Sequence, residues 1–278
     1  MLVSRVHAIR SSNQQESTTM ASFDRVALVT GGGTGIGAAA AKRFASQNVA
    51  VAIVGRRPEP LEETVQAIRL MGGEALSLPA DLGDPSVPGR LVESILSTWE
   101  RLDILVNNAA AIKHLPLSQA TLEVFDQHMA VNVRAPYLLT QAALPYLQKS
   151  DSAVVINISS SSGSLAIPGQ CLYGMSKAAL EYQTRSLAAE LAPLGIRVNA
   201  IAPGPVDTPI HLTWAGDDVA RAYERMAREV PLGRMGSADE LAAWIVWLAS
   251  PEASWVTGVV IPVDGGQTLP GATSRIVR

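Results

Sequence analysis

The chain has 278 residues, of which 47% are hydrophobic and 17% charged, with a formal net charge of −3. That balance describes a globular protein with a well-filled core and offers no basic field for nucleic acid or for an anionic membrane. No apolar run approaches a membrane span, the four histidines (His7, His114, His128, His211) lack metal-ligand spacing, and the single Cys171 excludes an internal disulfide framework and suits a reducing, cytoplasmic setting.

Residues 1–22 are rich in Ser, Thr, Gln and Asn and show no sustained apolar period, so they are expected to form a flexible extension. Arg5, His7 and Arg10 precede the first acid, Glu16, which leaves open a short targeting peptide or an upstream start before Met20.

From Phe23 onward, short β-branched runs alternate with longer amphipathic stretches. Arg25–Thr30, Val49–Val54, Ala75–Ala80, Leu102–Asn107, Ala153–Ile158, Ile196–Ile201 and Gly258–Val263 read as strands. Most are apolar throughout, as expected of strands covered on both faces. Helices are expected over 35–47, 58–72, 84–100, 118–149, 171–193 and 237–249, the first closing on Asn48 as a left-handed cap. Strand-then-helix repetition predicts an α/β fold, a Rossmann-type doubly wound parallel sheet of about seven strands. It forms a single domain over 23–268, followed by a 269–278 tail.

The first strand runs into Thr30-Gly31-Gly32-Gly33-Thr34-Gly35-Ile36-Gly37 and then an alanine-rich helix. Gly31 permits a tight turn, Gly35 lets backbone approach a pyrophosphate, and Gly37 lets the helix pack on the sheet. With Ile36, these residues present unpaired N–H groups and the positive end of the helix dipole to phosphate. A strand before and a helix after make this a dinucleotide turn rather than a flexible loop.

In the helix expected at 171–193, Tyr173 and Lys177 stand four residues apart and so share a face. An ammonium beside a phenol favours phenolate, which predicts a lowered pKa and an acid/base role for Tyr173. An ordinary helix face is the other reading of the pair alone. Ser160 lies at the carboxyl end of the fifth strand, the edge where open α/β sheets bind ligands.

The TGxxxGxG form of the glycine turn, with further motifs in order, resembles the short-chain dehydrogenase/reductase family over residues about 23–268. Those motifs are Pro79-Ala80-Asp81-Leu82, Asn107-Asn108-Ala109-Ala110, Asn132, Ile158-Ser159-Ser160, Tyr173 with Lys177, Pro203-Gly204 and Val263-Asp264-Gly265-Gly266. Ala110 departs from the glycine usual at that place, which implies an altered pocket shape near Ile112–Leu115.

The resemblance implies hydride exchange between a nicotinamide cofactor and a ketone or secondary alcohol. Tyr173 would be the general acid/base, Lys177 would lower its pKa and bind the nicotinamide ribose, and Ser160 would donate to the substrate oxygen. Asn132 would hold a water leading from Lys177 to solvent. Asp81 would accept from the adenine amino group, a role compatible with capping the turn before the helix expected near Asp84. Asn108, Pro203, Gly204, Val206 and Thr208 would complete the cofactor site. Gly55 stands where relatives preferring NAD carry Asp, and Arg56 and Arg57 follow it. That pattern favours NADP(H) over NAD(H), although Thr34 replaces a second basic residue found in many NADP-preferring relatives.

Segments 163–172 and 205–230 would surround a small-molecule carbonyl or alcohol substrate. Val219, Ala222, Tyr223, Met226 and Val230 form one apolar helical face, either a lid or a packed helix. His114, Cys171, His211 and Trp214 are candidate pocket residues. The apolar helices 118–149 and 171–193, with Trp244, Trp247 and Leu248, predict a homotetramer, or a dimer, unless the tryptophans pack in the core.

Overall fold

The computed structural model describes residues 23–209 and 219–270, so the expected extension 1–22, most of the tail, His211 and Trp214 lie outside the described residues. The main sheet has strands β1 (Arg25–Thr30), β2 (Val49–Gly55), β3 (Ala75–Pro79), β4 (Ile104–Asn107), β5 (Val154–Ile158), β6 (Arg197–Pro203) and, at its edge, β9 (Val260–Val263). Their order is β3-β2-β1-β4-β5-β6-β9, with every pairing parallel. The direction of winding reverses between β1 and β4, which opens a crevice at their carboxyl ends. A small second pairing, β7 (Val206–Asp207) with β8 (Gly236–Ser237), was not foreseen, because two-residue strands carry no period.

Alternation along the strands sorts side chains to two separate cores. Ala27, Val29, Val51, Ile53, Val106 and Ile156 face one layer. They meet Phe44 of α1 (Gly35–Ala45), Leu61 and Val65 of α2 (Pro58–Leu70), and Ile245 and Leu248 of α8 (Ala238–Ala249). Val26, Leu28, Ala52, Leu105 and Val155 face the other, with Leu91 of α3 (Val87–Trp99), Leu139 of α5 (Ala135–Leu147) and Leu191 of α6 (Cys171–Leu191). Burial on both faces explains why the strand sequences do not alternate. Trp244 and Trp247 are not core residues: they remain 40% and 39% exposed, stacked edge-on at 5.6 Å.

Several helix bounds differ from expectation. α1 stops at Ala45, and Asn48, with φ 58°, supplies the left-handed turn into β2. α3 begins at Val87 rather than 84, because Asp84 accepts from the Ser86 N–H and hydroxyl and so closes a turn before the helix. The long helix expected at 118–149 is divided. A 3-10 turn (Leu117–Gln119) precedes α4 (Leu122–Met129), then a π turn (Ala130–Arg134) leads into α5. Pro136 explains the widening, since it has no N–H for the α-helical bond to the Asn132 carbonyl. The apolar face of 219–230 becomes α7 (Val219–Arg228), which buries Ala222 and Met226.

At the opposite, amino-terminal edge of the sheet, buried Asp103 ties elements together. It accepts from the Val26 N–H at 2.8 Å, from Arg101 twice at 2.9 Å and from the Ser150 hydroxyl at 2.6 Å. Burial pushes its carboxyl upward, but the bonds from Arg101, Ser150 and Val26 outweigh this and hold it below the usual range. A depressed folded pKa contributes stability above the unfolded value and loses it as the pH falls through the folded one. Asp103→Ala should therefore cost about 2–3 kcal/mol at neutral pH. Urea unfolding should show that gap narrowing as the pH drops below about 4.

Candidate active site

The glycine turn leaves β1 and enters α1 at the crevice. Gly31 (φ 67°) and Gly35 (φ 55°) take left-handed backbone conformations that disfavour other residues. A methyl on Gly37 would collide with the Gly31 carbonyl and lie 2.6 Å from Asn108 Nδ2. No side chain caps α1 and its first turn holds no acid, which leaves the positive N-terminus for an anion. The cradle thus fits a dinucleotide pyrophosphate. Thr208, buried, approaches from the other side, since a methyl on Gly35 would sit 3.1 Å from its Cγ2.

Thr30, the first residue of the glycine motif, secures the turn. Its hydroxyl accepts from the N–H groups of Asn108 and Ala109 at 2.9 Å each. Asn108 Nδ2 donates to the Thr30 carbonyl at 2.8 Å and to that of Gly31 at 3.3 Å. The Asn108 side chain therefore braces the turn from behind. Asp81 is exposed just after β3 and accepts from the Gly83 N–H at 2.9 Å, which caps the turn there. Gly204 packs against Asp264, whose Cα would lie 2.8 Å from an added methyl, so Pro203-Gly204 and the Val263–Gly266 turn are built together.

At the end of β2, Arg56 and Arg57 are exposed and join no ion pair among the described residues. A side chain at Gly55 would meet nothing nearer than Leu61 at 3.5 Å, so the absence of a carboxylate there is not a steric requirement.

α6 carries the reactive groups. Tyr173 and Lys177 are both buried, at 9% and 2% exposure, and the Lys177 Nζ lies 5.6 Å from the centre of the Tyr173 ring. The ammonium donates to the Ile158 carbonyl at 2.7 Å, at the end of β5. Burial lowers the Lys177 pKa to about 8, with Glu181 acting against that shift. Tyr173 differs from expectation: burial pushes its phenol up to about 12, opposed only by the Ser160 hydroxyl. Desolvation, which penalises the phenolate, outweighs a lysine aimed at a carbonyl.

Ser160 begins a 3-10 turn (Ser161–Gly163), its oxygen accepting from the Ser162 N–H at 3.2 Å. Asn132 sits fully buried in the π turn. Its amide donates to the Ala111 carbonyl and the Ser176 hydroxyl at 2.9 Å each, and accepts from the Ala111 N–H at 2.7 Å. Both amide hydrogens are engaged, so that side chain has no donor left for a water. The Asn132 backbone carbonyl, which Pro136 deprives of its helical donor, is a second acceptor at this place.

Other groups went unassigned in the sequence. Buried His128, one turn before Asn132, receives the Lys113 N–H at 3.2 Å, lies 2.7 Å from the Val124 carbonyl through Nδ1, and meets the Tyr173 ring edge-on at 6.5 Å. His128 and Asn132 together clamp the loop after β4. Glu181, one turn beyond Lys177, accepts from the Ser159 hydroxyl at 2.8 Å. Spacing of four along a helix was the available signal for both. Cys171 is exposed at the start of α6, and no cluster of metal-binding side chains occurs among the described residues.

Comparison with known proteins finds related oxidoreductases over most of the chain. A family model described as enoyl-(acyl carrier protein) reductase matches residues 31–268. An uncharacterised oxidoreductase of Thermotoga maritima is 39% identical over 88% of this chain and 97% of its own length. The 3-oxoacyl-[acyl-carrier-protein] reductase of the same organism is 36% identical over 88% and 98% respectively. Among solved structures, a short-chain dehydrogenase/reductase from Serratia marcescens superposes with a TM-score of 0.82 at 33% identity, covering 88% of this chain and 98% of that one.

The cradle yields a direct test. Gly37→Ala should weaken nicotinamide dinucleotide binding, read by cofactor fluorescence, by tenfold or more, a loss of at least about 1.4 kcal/mol through overpacking. Gly89→Ala, where an added methyl meets nothing within 4 Å, should leave binding unchanged.

Proposed function

The chain belongs to the short-chain dehydrogenase/reductase family, an NAD(P)-dependent oxidoreductase of CH–OH and C=O groups, and from that premise we propose that it is an NADPH-dependent carbonyl reductase. The observation that carries this reading is the buried phenol of Tyr173. Burial raises its pKa to about 12, so the resting side chain is a neutral phenol that can give a proton to a carbonyl oxygen, its phenolate taking one from an alcohol in the reverse direction.

A bound nicotinamide supplies the hydride. Tyr173 gives its proton to the substrate oxygen as charge develops there. Ser160, hydrogen-bonded to the phenol, donates to the same oxygen and stabilises that charge. Lys177, near pKa 8, is mostly protonated at neutral pH and holds positive charge beneath the phenol. It also offers its ammonium to the nicotinamide ribose. The Asn132 carbonyl holds the water that returns a proton toward Lys177, while its amide fixes the loop at Ala111. Gly31, Gly35, Ile36 and Gly37 would receive the pyrophosphate, Asp81 would accept from the adenine amino group, Val206 and Thr208 would lie beside the carboxamide, and Asn108, Pro203 and Gly204 would complete the cofactor site. Arg56 grips a 2′-phosphate that a carboxylate at Gly55 would repel.

The substrate is a small ketone bordered by 163–172, 205–209 and 219–230. Assembly is a homotetramer, with a dimer next, in the cytoplasm. Supporting this, Tyr137 of α5 and Tyr182 of α6 are 48% and 71% exposed beside a cleft of about 1050 Å³, and α8 exposes its tryptophans. No helix among the described residues is long and apolar enough to cross a membrane.

A panel of ketones and secondary alcohols, followed by NADPH and NADH absorbance, should show turnover with NADPH preferred. Dinucleotide binding without turnover across the panel would instead favour a non-catalytic binding protein. Tyr173→Phe should reduce kcat by about 10²–10⁴ with little change in KM. Gly55→Asp should invert the cofactor ratio, and an unchanged ratio would refute the role given to Gly55 and Arg56.

A further inference from the structure

Tyr173, Lys177 and Glu181 recur every four residues along α6, and all three are buried in the stripe facing β5. A carboxylate is rarely retained in such a place without a partner. Glu181 has one in the Ser159 hydroxyl at 2.8 Å, and that oxygen also lies 3.4 Å from the Lys177 carbonyl. The turn carrying Ser160 passes directly over the carboxylate. A methyl on Gly163 would lie 2.5 Å from Glu181 Oε1 and 3.3 Å from Ser159 Oγ. Glycine at 163 is what allows that backbone to sit there. Glu181 therefore contacts the residue before Ser160 and the turn after it, and it shares a helix face with Lys177.

We propose that Glu181 is a positioning residue of the reaction centre, the buried counter-charge of the Lys177 ammonium and the anchor that docks the serine turn onto α6. The inference deepens the carbonyl-reductase reading and rests on it for its catalytic consequence. Glu181 does not touch substrate. It acts through Lys177, whose burial opposes the charged form and is counteracted by this carboxylate. Tyr173 flanks Lys177 on the other side along α6, and His128 reaches in from α4 only as far as the Tyr173 ring. Strand β5 contributes the neutral Ile158 carbonyl, and the turn after it contributes the serine hydroxyls.

The sequence contains four lysines (Lys42, Lys113, Lys149, Lys177), so a protein labelled with 13C at the lysine Cε gives few signals to assign. Glu181→Gln keeps an oxygen for Ser159 and removes only the charge. In that variant the Lys177 titration midpoint should move down by about one pH unit from the wild type, and Glu181→Asp should restore much of the difference. An unchanged midpoint in a folded Glu181→Gln protein would overturn the proposal. The readout needs neither cofactor nor substrate, so it stands even if the reductase reading fails. With a turned-over ketone, loss of activity on raising the pH should begin about one unit lower in Glu181→Gln. A uniform loss of kcat with an unshifted pH profile would mark Glu181 as merely structural.

Discussion

The structure depends on an ammonium and a phenol being buried side by side in α6. Charged and phenolic groups do not enter a protein interior without compensation. Each neighbour of the pair can be understood as part of that compensation. The end of β5 supplies the Ile158 carbonyl to Lys177, and the turn after β5 supplies Ser160 to Tyr173. Burial then shifts both groups away from the charged form, the lysine downward and the tyrosine upward. The sequence expectation of a lysine-lowered phenol treated two residues in isolation. In the folded protein, desolvation is the larger effect on Tyr173.

The sheet makes this burial possible. Parallel strands with apolar side chains on both faces form a rigid floor, and their carboxyl ends gather Gly31, Asn108, Ser160 and Pro203 along one edge. Structural anchoring is concentrated at the opposite edge, where Asp103 joins β1 to the Arg101 and Ser150 segments. Polar networks on the two edges therefore serve different ends: one holds the strands in place and the other holds the reactive side chains.

Much of this was legible in the sequence. Largely apolar runs marked the strands of the main sheet, and the glycine spacing marked the crevice, because both follow from local sterics and burial. Helix interruptions were less visible. The π turn at Ala130–Arg134 depends on a single proline that a periodicity reading absorbs without comment. Residue roles set by tertiary contact were hidden more deeply. The Asn132 amide is bound by a loop twenty-one residues away, and Asn108 turns back onto Thr30. His128 and Glu181 had the helical spacing that would have flagged them, but spacing alone does not tell a buried group from a solvated one.

The central claim is that burial holds Tyr173 as a neutral proton donor at rest. The most direct measurement is the ionisation of that phenol in the free protein, from the 13Cζ resonance of labelled tyrosine, assigned among five tyrosines by comparison with Tyr173→Phe. With a pKa near 12, the Tyr173 signal should stay that of the phenol up to about pH 10, where an ordinary tyrosine is half ionised. A phenolate signal appearing between about pH 7 and 9 would contradict the account and place the lysine charge above desolvation.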